Sequence, residues 1–319
     1  MLIRDFAKQG EAKWLVEGLL PAGHTILLAG SPGVGKSFIS EGLAIAVASG
    51  KDYLGLPVAQ GSVILVDEDT PTDELAHRLT ALAAGYQVDM EGLPLYVHSM
   101  KGIRLDNAAS MKRLEEEIKE SKATAIVFDC LGKLMGDFNE NNVKDCNAAA
   151  EAWEKLKRGG EATIVVLAHL NKREGKIEED FNKLVRGSVA IVANSDTAFA
   201  VALGMHNKVT TFNVYPIERR RHLPMREPFG IKLTSQNGGI LPQRTEIRKE
   251  LSELAKSIWP LFSDLPSDQA LSFFDVRKQL KGMAPDYEIR DALHELCYAQ
   301  LVRVGTSEHN RYLYTNAIS

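Results

Sequence analysis

The sequence predicts an α/β protein: a doubly wound, mostly parallel sheet with an added antiparallel edge, followed by a small, largely helical domain. Two observations carry this. Short apolar runs of the kind buried on both faces of a parallel sheet alternate with segments of helical periodicity, and each run ends in polar residues, where such sheets collect ligands. The first run, His24–Ala29, leads straight into the glycine-rich turn GSPGVGKS at 30–37 and then into a helical pattern.

The elements follow in order. Trp14–Gly23, WLVEGLLPAG, is a lead-in punctuated by Pro21 and Gly23, with Trp14 expected on the core. Ser37–Ser49 carries apolar residues at helical spacing and stops at Gly50. Val63–Val66 is a buried-type strand whose end is acidic, Asp67-Glu68-Asp69. Helices are predicted over Thr72–Tyr86, Ala108–Ser121 and Val143–Lys157, and strands over Leu95–His98, Ala125–Asp129 and Thr163–His169. Thr197–Leu203 and Val209–Tyr215, joined near His206-Asn207, read as adjacent antiparallel strands that extend the sheet. Gly238, Gly239 and Pro242 mark a composition change, which sets the expected domains at 1–243 and 244–319. Beyond it, helices over Leu251–Phe262, Phe273–Leu280 and Tyr287–Leu301 precede a hairpin formed by Leu301–Val304 and Arg311–Tyr314, a winged-helix outline.

With 319 residues, 45% hydrophobic and 25% charged, the chain can bury a sizeable core in two domains. Its apolar stretches are interrupted well short of the roughly 20 residues a membrane span needs. Met1–Gly10 carries charges where a signal peptide would be apolar, so a cytoplasmic location is expected. Cys130, Cys146 and Cys297 have no metal-ligand spacing and fit a reducing compartment, with Cys130 expected as a small core residue. A net charge of −4 does not announce a nucleic-acid binder, although positive charge concentrated in a pore could still hold a strand.

The turn residues Gly30, Ser31, Pro32, Gly33, Val34, Gly35, Lys36 and Ser37, with Phe38 behind them, fit a phosphate cradle. The glycines let successive N–H groups turn inward and the following helix adds its positive end. Lys36 is placed to reach the β- and γ-phosphates of ATP, and the Ser37 hydroxyl to ligate Mg²⁺. Asp129, closing an apolar strand, is the carboxylate expected to hold the Mg²⁺ shell through water. Glu68 is the candidate general base at the next strand end, with Asp67 and Asp69 as chemical alternatives.

Taken together, WLVEGLLPAG before the turn, Glu68-Asp69 followed by a helix with Arg78, FDCLGKL around Asp129, GDFNENN at 136–142, AHLNK at 168–172 and RGS at 186–188 resemble the RecA-like ATPases, in particular the RepA-type hexameric replicative helicase branch. The resemblance spans residues 12 to about 205. It implies that Glu68 is the catalytic glutamate, His169 a sensor of γ-phosphate or DNA state, and Arg186 an arginine finger reaching a neighbouring subunit's nucleotide. The segment with Lys172, Arg173, Lys176 and Lys183 falls where this family contacts single-stranded DNA, although Glu174, Glu178, Glu179 and Asp180 dilute its charge. Arg219-x-Arg221 stands where related helicases keep a Lys-x-Arg pair facing the neighbour's phosphates, with Arg220 between them. The third helix of the winged-helix outline is acidic, which favours docking to protein over reading duplex DNA.

The expectation is therefore a homo-oligomeric ring, hexameric by resemblance, that couples Mg-ATP hydrolysis to movement on single-stranded DNA as a helicase. An ATPase that loads or remodels a protein partner, and a nucleotide-switched binding module, are the alternatives.

Overall fold

The structure, a computed structural model, describes residues 13–158, 162–170, 185, 189–206, 209–217, 227–247, 253–263, 265–266, 269–280, 282–298, 302–306 and 312–316. Contacts divide the chain into two compact units, Met1–Ile247 and Arg248–Ser319.

The first unit begins with β1 (Trp14–Val16) paired antiparallel to β2 (Leu20–Pro21). Leu15 and Val16 are buried there, while Trp14 is half-buried. Next come β3 (Thr25–Gly30), α1 (Lys36–Ser49), β4 (Ser62–Asp67), α2 (Thr72–Tyr86), β5 (Leu95–Ser99), α3 (Ala108–Ser121) and β6 (Ala123–Asp129). They are followed by the short α4 (Leu131–Leu134), then α5 (Val143–Arg158), β7 (Thr163–His169), α6 (Val189–Ala193), β8 (Thr197–His206), β9 (Val209–Pro216), β10 (Phe229–Gln236) and β11 (Gly239–Thr245). Nine strands form one sheet in the order β11-β10-β9-β8-β3-β7-β6-β4-β5. β3, β4, β5, β6, β7 and β8 pair in parallel, whereas β8 to β11 form an antiparallel meander.

Strand alternation explains the two cores. Ile26, Leu28, Val63, Leu65, Ala125 and Val127 face α1 and α2, while Leu27, Ile64, Val66, Ile126 and Phe128 face α3 and α5. Helix ends follow local chemistry. Gly50, with φ 72°, caps α1, and Asn107 caps α3 by accepting from the Ala109 and Ser110 amides.

The composition change at Gly238-Gly239-Pro242 turns out to be a hairpin inside the sheet. Gln236 pairs with Gly239 across Asn237 and Gly238, whose φ values of 52° and 75° match a two-residue turn with both central residues left-handed. β10 and β11 are thus two strands more than the sequence reading predicted, and β11 continues through Thr245. The hairpin packs over α1 and α2 by close backbone approach. A Cβ on Gly85 would lie 2.2 Å from the Ile240 carbonyl oxygen, and one on Gly42 would lie 2.9 Å from the Pro242 ring.

The second unit contains α7 (Glu253–Ile258), α8 (Pro260–Ser263), β12 (Leu271–Ser272), α9 (Phe273–Leu280), α10 (Asp286–Tyr298), β13 (Val302–Thr306) and β14 (Tyr312–Asn316). The single helix predicted over Leu251–Phe262 is broken at Pro260, which has no amide to continue the ladder. Its sheet, β12-β14-β13, is antiparallel, and its core gathers Ile258, Phe262, Val276, Leu293, Leu296 and Tyr314. Among the described residues no helix is long and apolar enough to cross a membrane.

Candidate active site

The site is built where three neighbouring parallel strands end. β7 lies between β3 and β6, and Gly30 at the end of β3 pairs in register with His169 at the end of β7. This insertion brings His169 between the turn at 30–37 and Asp129. Gly33 and Gly35 take φ values of 78° and 84°, the left-handed region that side chains avoid. A Cβ at Gly35 would also strike the Phe212 ring at 2.5 Å. α1 starts at Lys36, so the free amides and positive end of the helix adjoin the turn.

Lys36 is buried, and its Nζ donates to the carbonyls of Gly30 at 2.9 Å and Ser31 at 3.0 Å, with His169 Nδ1 at 3.4 Å. Burial lowers the pKa of this ammonium, and the charges of Asp129 and Asp69 oppose that shift. The Ser37 side chain lies beside the Asp129 carboxyl. Burial pushes the Asp129 carboxyl up to about 6, with the nearby Asp67 and Asp69 charges acting in the same direction and Ser37 and Lys36 against it. The Ser37 hydroxyl and the Asp129 carboxylate are hard oxygen donors beside the cradle, a set that fits Mg²⁺. Ser31, Pro32 and Gly33 are exposed and Val34 is buried, as a turn open on one side requires.

The three acids at the end of β4 diverge. Asp67 is buried, and its Oδ1 accepts from the amides of Asp69 at 2.9 Å and Thr70 at 2.8 Å. Glu68 accepts three backbone amides after β5, those of Lys101 at 3.0 Å, Gly102 at 2.9 Å and Ile103 at 2.9 Å. Asp69 lines an open cleft of about 630 Å³ together with Pro32, Cys130, Lys133, Asn139 and His169. Of the three, Asp69 faces the turn, while Glu68 braces the segment after β5.

Behind the turn, Arg78 on α2 joins the phosphate helix to the end of β4. Its guanidinium lies 2.8 Å from Glu41 on α1 and 3.8 Å from Asp67, donates to Thr70 Oγ1 at 2.9 Å, and sits 5.4 Å from the centre of the Phe38 ring. Phe38 is thus a platform under Arg78 as well as a neighbour of the turn. Burial raises Glu41 from 4.5 to about 8 despite the Arg78 charge. Sequence reasoning missed this pair; the signal available was Glu41 standing one helical turn after Ser37. Arg186, Arg219, Arg221, Lys172, Arg173, Lys176 and Lys183 lie outside the described residues.

Comparison with known proteins bears on the family and the fold. Residues 2–175, more than half of the chain, match the family described as AAA domain. No curated protein matches the chain. The crystal structure of the KaiC-like protein PH0186 from the hyperthermophilic archaeon Pyrococcus horikoshii OT3 is similar, with a TM-score of 0.50 and 14% identity over 72% of this chain and 93% of that one. That of the flagellar accessory protein FlaH from Methanocaldococcus jannaschii has a TM-score of 0.48 and 14% identity, over 70% of this chain and 90% of that one. With its glycine turn set on this strand order, the chain is a P-loop ATPase of RecA-like fold and belongs to the AAA domain family.

Proposed function

We propose that this ATPase works as a homo-oligomeric ring, hexameric as in the helicases it resembles, that couples Mg-ATP hydrolysis to movement on single-stranded DNA. The observation that carries the hydrolytic part is the convergence of Lys36, His169 and the Ser37–Asp129 pair beside a left-handed glycine turn. Lys36, resting on the turn carbonyls, would move to the phosphates as they enter. Ser37 directly, and Asp129 through water, would hold Mg²⁺, whose charge offsets that developing on the transferred phosphoryl group. Asp69, on the cleft side, orients or deprotonates the attacking water, with Glu68 holding the strand end in place. His169, between Lys36 and the cleft, reports whether γ-phosphate is present.

The DNA part rests on the resemblance and on the basic segment with Lys172, Arg173, Lys176 and Lys183. Arg186, with Arg219 or Arg221, would reach a neighbour's nucleotide, tying turnover to assembly. The C-terminal unit, Arg248–Ser319, is read as a winged helix from its helix, helix, strand, helix, helix, strand, strand order. Its helix α10 favours a protein partner over duplex DNA: its one arginine, Arg290, stacks 4.1 Å over the Phe273 ring, and Asp286 pairs with Arg277 at 2.9 Å. That observation supports a second reading, an ATPase that loads or remodels a protein partner.

Steady-state ATP hydrolysis, with and without single-stranded DNA and across protein concentrations, tests the reading. Stimulation by DNA that requires high protein concentration and vanishes in Lys36→Ala supports it. Hydrolysis indifferent to DNA refutes the DNA motor and favours partner remodelling.

A further inference from the structure

Asp69, Cys130 and His169 follow or close three strands that lie side by side, β4, β6 and β7. One ligand atom from each lies within 4.8 Å of the others, a carboxylate oxygen, a sulfur and an imidazole nitrogen. The donors are held by backbone structure. The Asp69 amide is anchored on Asp67, the Cys130 carbonyl accepts from Lys133 at 3.1 Å, and His169 is set by its pairing with Gly30. They open on the cleft of about 630 Å³, so a fourth position is accessible to water.

Mixed sulfur, nitrogen and oxygen donors suit a borderline-soft ion, and three protein ligands with one open position is the arrangement of accessible zinc sites. Magnesium, which requires near-octahedral oxygen, is served instead by Ser37 and Asp129. We propose that Asp69, Cys130 and His169 form a second cation site, selective for Zn²⁺-type ions and separate from the Mg²⁺ position. On binding, the Cys130 thiol releases its proton to solvent and coordinates as thiolate. The metal would also take hold of the imidazole that contacts Lys36 and the carboxylate that faces the phosphate turn. Zinc should therefore inhibit turnover, a consequence that rests on the ATPase reading; the binding itself does not.

The test uses the full chain without nucleotide, stripped of metal and titrated with Co²⁺ alone. One equivalent should produce a sulfur-to-cobalt charge-transfer band in the near ultraviolet, bleached by Zn²⁺ and retained in excess Mg²⁺. Cys130→Ser should abolish the band and Cys146→Ser should keep it. Asp69→Asn and His169→Gln should each weaken Zn²⁺ binding by at least the roughly 10- to 100-fold typical of altered metal surroundings. Circular dichroism melts check each variant's folding; if Cys130→Ser does not fold, the wild-type band and its weakening in Asp69→Asn, an exposed position, decide. Absence of the band in wild type, or a band that survives Cys130→Ser or requires Cys146, overturns the proposal. No nucleotide is present, so such a failure leaves the hydrolysis reading intact, and that reading is tested by Lys36→Ala.

Discussion

Replacing Arg78 by methionine keeps most of the side-chain volume and removes the charge that faces two carboxylates, each only 1% exposed. The cost should depend on pH. Burial raises Glu41 in the folded state from 4.5 to about 8, so Glu41 favours folding fully below about pH 4.5 and loses that contribution as pH rises toward 8. Arg78 acts to lower this pKa, and without it the decline should continue to higher pH. At about pH 6, Glu41 is protonated in both proteins. The loss is then limited to the Thr70 hydrogen bond, the Phe38 contact and the Asp67 charge, together about 1–3 kcal/mol. At about pH 9 Glu41 is ionised beside Arg78 but held protonated without it, and one pH unit above a pKa of about 8 adds about 1.4 kcal/mol, so the loss should reach about 2–4 kcal/mol. Urea unfolding of the full chain followed by circular dichroism across this range measures the difference. Glu41→Gln should flatten the pH dependence in both backgrounds and give a coupling energy of about 0.5–3 kcal/mol in the double-mutant cycle. A loss independent of pH, or one that Glu41→Gln does not change, refutes the reasoning.

Further outcomes follow from particular contacts. Asp69→Asn should retain ATP binding and lose hydrolysis, whereas Glu68→Gln should act mainly by loosening the segment at 101–103, seen as faster amide exchange there; the reverse pattern would return the catalytic role to Glu68. Gly85→Ala places a Cβ 2.2 Å from the Ile240 oxygen, so the roughly 1 kcal/mol of helix propensity gained should be outweighed by overpacking of about 3 kcal/mol, read as a lower melting temperature. Asn107→Ala removes the acceptor for two amides at 3.0 Å and should cost about 1 kcal/mol without affecting ATP binding; a neutral result would show that the cap contributes nothing.

Much of the phosphate side of the site was legible because its determinants are local. A strand, a glycine turn that needs left-handed φ, and a helix starting at Lys36 are contiguous in the chain, and burial on both faces makes a parallel strand a readable apolar run. The bounds of α2, α3 and β7 follow from the same local patterns, Thr72–Tyr86, Ala108–Ser121 and Thr163–His169. The β10–β11 hairpin was also written locally, in Asn237-Gly238, but its strands are only partly buried, so their apolar pattern is weaker than the turn that joins them.

By itself, then, the sequence determined which segments are strands and helices in the parallel part of the sheet and where the left-handed glycine turn between strand and helix falls, because periodicity and backbone conformation act over a few residues. Only the tertiary structure decided which way the acids at 67–69 point, since adjacent strand-end residues face different partners: the β5 exit for Glu68, the cleft for Asp69, Arg78 for Asp67. It likewise decided that Cys130 meets Asp69 and His169, and that Glu41 meets Arg78. These pairs are distant in the chain and become neighbours through strand order and helix packing, which depend on the burial of the whole sheet.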